Sequence, residues 1–99
     1  MKTAPNLDWV YHHREQILQI IQAYHLENLR IFGSVARGEA HADSDIDFLA
    51  DFPPHFTLVD WAGVVQDLQN LLGYRVQVTS AAHLREELRP YILQDVQAL

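Results

Sequence analysis

Residues 33–47 read GSVARGEAHADSDID: a glycine–serine pair, ten intervening residues, then two aspartates at i and i+2. In an extended segment alternate side chains share a face, so Asp45 and Asp47 project together. Their Cα atoms then stand about 7 Å apart, close enough for both carboxylates to converge on one pair of divalent cations. At an effective dielectric of about 20 such a pair repels by about 2–3 kcal/mol. Glu39, Asp43 and Asp51 lie nearby in the chain and add to that repulsion. A cation turns this concentration of charge into a binding site, and hard oxygen ligands in a chain without cysteine favour Mg2+ or Mn2+ over zinc. Upstream, a Gly33-Ser34 turn that opens a helix offers free backbone N–H groups and a hydroxyl, which suit phosphate oxygens. A nucleotide with its metals is the ligand that needs both halves.

The elements that must position these residues are legible on either side. Asn6 or Asp8 can cap a first helix running to about Tyr24, with Ile17, Ile20, Ile21 and Tyr24 on one stripe. The apolar run 29–32 reads as a strand feeding the turn. Residues 34–37 then make about one helical turn, which Gly38 ends in a left-handed conformation. From 45 to 52 the chain alternates: Ile46, Phe48, Ala50 and Phe52 on a core face, Asp45, Asp47, Leu49 and Asp51 on the other. Pro53-Pro54 stops that strand. Thr57 with Asp60 three residues on signals a second long helix, striped by Trp61, Val64, Val65, Leu68, Leu71 and Leu72 and closed by Gly73. Residues 74–78 read as a third strand. Ser80 is placed to cap a helix through Leu88, which Pro90 breaks or kinks before the last stretch, 91–99. The order α-β-α-β-α-β-α predicts an α/β (α+β) fold, a small mixed sheet of three to four strands covered by helices on one face.

A chain of 99 residues with 48% apolar content is expected to form one domain over 1–99. No apolar run is long enough to cross a bilayer, and MKTAPNLDW lacks a signal-peptide core; with zero cysteines, a cytoplasmic setting without membrane contact is the expectation. Net charge is −6, from 7 basic and 13 acidic residues, and Lys2 is the single lysine, which argues against direct nucleic-acid binding. The six histidines show no ligand spacing on a helical face, and Trp61 belongs with the core stripe. Two readings stand open for Arg37: contact with a triphosphate or partner, or a structural ion pair with Glu39 or Asp43. Tyr91, Ile92, Val96 and Leu99 either pack on the domain or present a surface to a partner.

The motif, in its strand–turn–helix–strand context, resembles the nucleotidyltransferase superfamily of DNA polymerase beta. More closely it is similar to minimal nucleotidyltransferases (MNT), over nearly the whole chain: the first helix, the motif, the helix ending in LLGYR, and the tail LREELRPYILQDV. The phrase LRPYIL after a short strand resembles MNT antitoxins encoded beside HEPN-domain ribonuclease toxins. What the resemblance implies is a polymerase beta-like nucleotidyltransferase fold that transfers a nucleoside monophosphate from a triphosphate. For MNT antitoxins that means AMP from ATP onto a tyrosine of the HEPN toxin, which is silenced within a hetero-oligomer. Asp45 and Asp47 would hold two Mg2+ ions, and Gly33 and Ser34, with Arg37 as a further candidate, would hold the phosphates.

One position departs from the family pattern. A third catalytic carboxylate is expected on the next strand, and the matching segment, Val76-Gln77-Val78-Thr79, carries Gln77 there. A glutamine offers a carbonyl oxygen but no charge and almost no basicity; loss of a general base costs about 10²–10⁴ in rate. An enzyme impaired in nature, an engineered change and a different strand alignment are all compatible with that substitution. Besides adenylyl transfer, two other functions follow from these features. One is a binding module of this fold that neutralises its partner by occlusion, which Gln77 favours. The other is nucleotidyl transfer to RNA or a small molecule, which the acidic balance and the lack of a substrate domain oppose.

Overall fold

The computed structural model describes residues 3–99; Met1 and the lysine Lys2 lie outside them. Helices α1 (Leu7–His12) and α2 (Arg14–Ala23) lead into strand β1 (Glu27–Phe32), and helix α3 (Gly33–Arg37) follows it directly. Strand β2 (Ile46–Asp51), helix α4 (Leu58–Leu72) and strand β3 (Val76–Ser80) come next. A 3-10 turn (Ala81–His83), helix α5 (Arg89–Asp95) and a two-residue strand β4 (Gln97–Ala98) complete the order. The sheet runs β3-β2-β1-β4. Strand β1 is antiparallel to both its neighbours, while β2 and β3 are parallel. A parallel pair needs a long crossover, and α4 supplies it. The mixed α+β sheet predicted from the order of elements is therefore the fold adopted.

Local signals set most of the boundaries. Asn6, not Asp8, caps the first helix, its side-chain oxygen accepting from the Trp9 amide at 2.8 Å. Thr57 and Asp60 form a reciprocal capping box at the start of α4, and Gly73 (φ 77°) ends it in the left-handed region. Phe48, Ile46 and Ala50 of β2 meet Ile17 and Ile21 of α2 and Val64, Leu68 and Leu72 of α4 in one buried core.

Six features differ from the sequence expectation, one being β3, which spans Val76–Ser80 where 74–78 is expected. The first helix is two helices that part at His13. The Trp9 indole N–H donates to the Leu72 carbonyl (2.9 Å) at the end of α4, which holds α1 on its own course. Leu49, on the face shared with the aspartates, is fully buried, so a fully apolar residue is covered there too. Trp61 is 37% exposed, at the edge of the core, with its indole N–H on the Val78 carbonyl at 2.8 Å. Ser80 makes no side-chain cap, and the helix expected through Leu88 is only the 3-10 turn. Pro90 opens α5 from its first turn, where a missing N–H costs nothing, and the tail ends as β4 on β1.

Candidate active site

The candidate residues meet where β1, β2 and β3 lie side by side. Phe32, the last residue of β1, pairs with Asp47 on one flank of β2, and Gln77 pairs with Asp47 on the other. The chain turns from β1 into α3 at Gly33, whose φ of 79° is costly for any residue with a Cβ. A second constraint acts on the same atom: a Cβ built on Gly33 would collide with the Asp47 carboxylate. The acid therefore packs against the backbone of the glycine turn, as the motif spacing predicts. Ser34 follows in the first turn of α3. The residue in the N-cap position is Phe32, which has no side-chain group to satisfy the first amides, so Ser34 is not an N-cap.

Asp45 sits one residue before β2 and is tied from two sides. Its Oδ2 accepts a hydrogen bond from Gln77 Nε2 at 3.1 Å. Its Oδ1 lies 3.0 Å from Arg75 Nε as an ion pair, yet is buried with no hydrogen-bond partner. Asp47 is perturbed in a complementary way. Burial, then the neighbouring charge of Asp45, push its carboxyl up to about 6 from 3.8, and Arg37 offsets part of that. Two crowded carboxylates, one of them pushed up by burial and by the charge of the other, fit a hard divalent cation. Among the described residues no group of three or more acidic, histidine or cysteine side chains is arranged for a metal. Gln77 occupies the place where a third acid would complete one.

The parallel register places Gln77 beside Asp47. Arg37 does pair with Glu39 (3.1 Å), and also with Asp95 of α5 (2.8 Å), but not with Asp43. His41 belongs to the loop: its amide donates to Ser44 Oγ (2.9 Å) and its ring Nδ1 accepts from the Asp43 amide (3.3 Å). Of the four tail residues, Tyr91 is 70% exposed, Ile92 and Val96 are half-buried, and Leu99 packs on the core. Sequence reasoning missed Arg75 and Asp95. Arg75 stands two residues before Gln77, where the parallel pairing of β2 and β3 brings it to Asp45, and a cation at that offset was a readable signal. Beside it a hollow of about 420 Å³ is lined by Ala42, Asp43, Ser44, Tyr74 and Arg75. Nothing local marks Asp95.

Residues 14–98 match the nucleotidyltransferase domain family, and the chain belongs to it. It is 31% identical over 78 residues to the protein adenylyltransferase MntA of Thermococcus cleftensis, a match covering 79% of each chain. A solved structure assigned as a minimal nucleotidyltransferase shares 38% identity at a TM-score of 0.83, over 96% of this chain and 97% of that one. A more distant likeness, of fold alone, extends to a toxin–antitoxin structure with AMP-PNP (19% identity, TM-score 0.72, 85% of this chain and 69% of that one). The fold is shared at similar distance with a complex of tri-AMPylated Shewanella oneidensis HEPN toxin and MNT antitoxin (14% identity, TM-score 0.68, 89% and 69%). No described helix is long and apolar enough to cross a membrane.

Proposed function

We propose that this nucleotidyltransferase is the antitoxin of a toxin–antitoxin pair and transfers AMP from ATP onto a tyrosine of a HEPN-type toxin. The observation that carries the reading is the contact between the Gly33 backbone and the Asp47 carboxylate. It brings a phosphate-accepting turn and a metal-binding acid within one substrate's reach. The protein adenylyltransferase MntA and the composition of the two toxin–antitoxin complexes support the acceptor and the partner.

In the reaction the acceptor phenol oxygen bonds to the α-phosphorus of ATP, the bond from that phosphorus to the bridging oxygen breaks, and pyrophosphate leaves; the phenol proton passes to solvent. Asp45 and Asp47 are the residues that would hold two Mg2+ ions, which when bound stabilise charge on the phosphates and acidify the acceptor hydroxyl. Gly33 and Ser34 receive the β- and γ-phosphates on backbone N–H groups and the Ser34 hydroxyl, and so orient the leaving group. Arg37 eases the ionisation of Asp47 by its positive charge. Gln77 holds Asp45 in place but takes no proton, so turnover is slow for a member of this family. The chain works in the cytoplasm, as one domain.

Incubation with Mg-ATP and the cognate HEPN protein tests this directly: the partner's mass rises by one or more AMP units, and Asp45→Asn removes the gain. No mass gain with the wild-type chain refutes transfer. A second reading rests on Gln77, whose amide stands where an acid would serve as base. In that reading the chain silences the partner by occlusion, and inhibition persists without ATP and in Asp47→Asn.

A further inference from the structure

The C-terminal segment reaches back onto α3 through contacts that do not depend on one another. Asp95 Oδ2 accepts from Arg37 Nη1 at 2.8 Å, although the two are 58 positions apart in the chain. Gln97 Nε2 donates to the Ala36 carbonyl at 3.3 Å, while Gln97 Oε1 accepts from the Tyr11 hydroxyl at 3.3 Å. Strand β4 pairs with β1 at Arg30 and Ile31, the strand that leads into Gly33. Thus α3, a helix of only five residues, is gripped by a side chain on Arg37 and by another on Ala36. So short a helix does not hold itself, since nucleating one turn is unfavourable on its own.

Arg37 is engaged on two of its three guanidinium nitrogens, Nε by Glu39 and Nη1 by Asp95. Two carboxylates around one guanidinium leave a net negative neighbourhood, poorly matched to a triphosphate but well suited to a clamp. Asp95 is the more covered of the two acids, its side chain 22% exposed against 67% for Glu39, so it holds the arginine under less solvent screening.

We propose that Asp95 and Gln97 are positioning residues: through Arg37 and Ala36 they hold α3, and with it the Gly33-Ser34 turn, against the Asp47 carboxylate. Arg37 then acts mainly through the clamp, and the segment 89–98 is a strap over the motif helix. This deepens the nucleotidyl-transfer reading and rests on it for its consequence, but the strap itself can be measured without nucleotide.

The Gly38 and Glu39 amides report on α3, since they donate to its Val35 and Ser34 carbonyls at 3.2 and 2.9 Å. In Asp95→Ala their hydrogen exchange speeds up about tenfold relative to wild type, while the amides of α4 do not change; Asp95→Glu restores much of the protection. Calorimetry of Mg-ATP binding to the same proteins then shows about tenfold weaker affinity in Asp95→Ala and in Gln97→Ala. Unchanged exchange at Gly38 and Glu39 overturns the strap. An equal rise across α2 and α4 overturns it as well, because it would mean general loosening. If the wild-type chain binds no Mg-ATP, the nucleotidyl-transfer reading falls, and the exchange comparison alone decides the strap.

Discussion

Replacing Asp47 by asparagine should stabilise the metal-free protein at neutral pH. The folded state holds this carboxyl up at about 6 against an ordinary 3.8, so folding opposes its ionisation. A folded-state value above the unfolded one means the native chain binds the proton more tightly; stability is therefore greatest below about 4 and falls as pH rises through about 6. Two units correspond to about 3 kcal/mol for a fully enclosed group. Solvent around a carboxylate that is only partly covered reduces that to about 1–2 kcal/mol. Asparagine cannot ionise, so Asp47→Asn recovers this amount at about pH 7.5 and little at about pH 4. In a domain of this size that is a rise in Tm of about 5–10 °C at the higher pH. Urea unfolding of both proteins at the two pH values, with chelator present, gives the comparison; carboxylates remote from the site titrate alike in both and cancel in the difference, while relief of the repulsion on Asp45 acts in the same direction as the loss of the Asp47 charge. Added Mg2+ then reverses the order, because only wild type offers both acids, and saturating a site 100-fold above its Kd stabilises by about 2.7 kcal/mol. A variant less stable than wild type at about pH 7.5, or a difference that does not change with pH, refutes the electrostatic account of this site.

Gly33→Ala should lose about 2 kcal/mol or more of stability by urea unfolding, since the new methyl group meets both a left-handed backbone and the Asp47 carboxylate. Gly38→Ala, at φ 74° but with open space around it, serves as its control and loses only the backbone part, about 1 kcal/mol. Gln77→Asp should speed AMP transfer by about 10²–10⁴, measured as initial rate on the HEPN partner, while lowering metal-free stability by adding a third like charge beside Asp47. Thr57→Ala removes half of the capping box of α4 and should cost about 1 kcal/mol in urea unfolding, with no change in transfer rate.

What could be read from the chain alone was whatever a few neighbouring residues decide. Gly38, Gly73 and the Thr57–Asp60 box are local backbone preferences, and each appears where its signal lies. The meeting of Gly33 with Asp47 was also legible, because a strand, a tight turn and an antiparallel return leave few ways to arrange fifteen residues. The break at His13 was not: the helical pattern runs through it without a glycine or proline, and the cause is Trp9 docking on α4 63 positions away. Strand β4 is two residues long and exists only because β1 offers a free edge. Leu49 alternates like an outward residue, and its burial depends on what lies across the sheet. The partners of Arg37 divide along the same line, with Glu39 two residues away foreseen and Asp95 not.

Motif membership and energetic cost do not coincide at every residue of the site. The family resemblance selects Gly33, Ser34, Arg37, Asp45 and Asp47 by motif. The energetics select residues that burden the fold without structural return, since a chain keeps such burdens where something else is gained. Gly33 in a conformation costly to other residues, and the Asp45–Asp47 pair, crowded enough to push the Asp47 carboxyl up, meet both criteria. Arg37 meets only the first, because its charge is already answered by two acids. That asymmetry is why the acids and the glycine are assigned to the substrate and the arginine to the frame that holds them. It also orders the variants: the acids should lose transfer at unchanged or raised stability, and Arg37→Ala should lose both together.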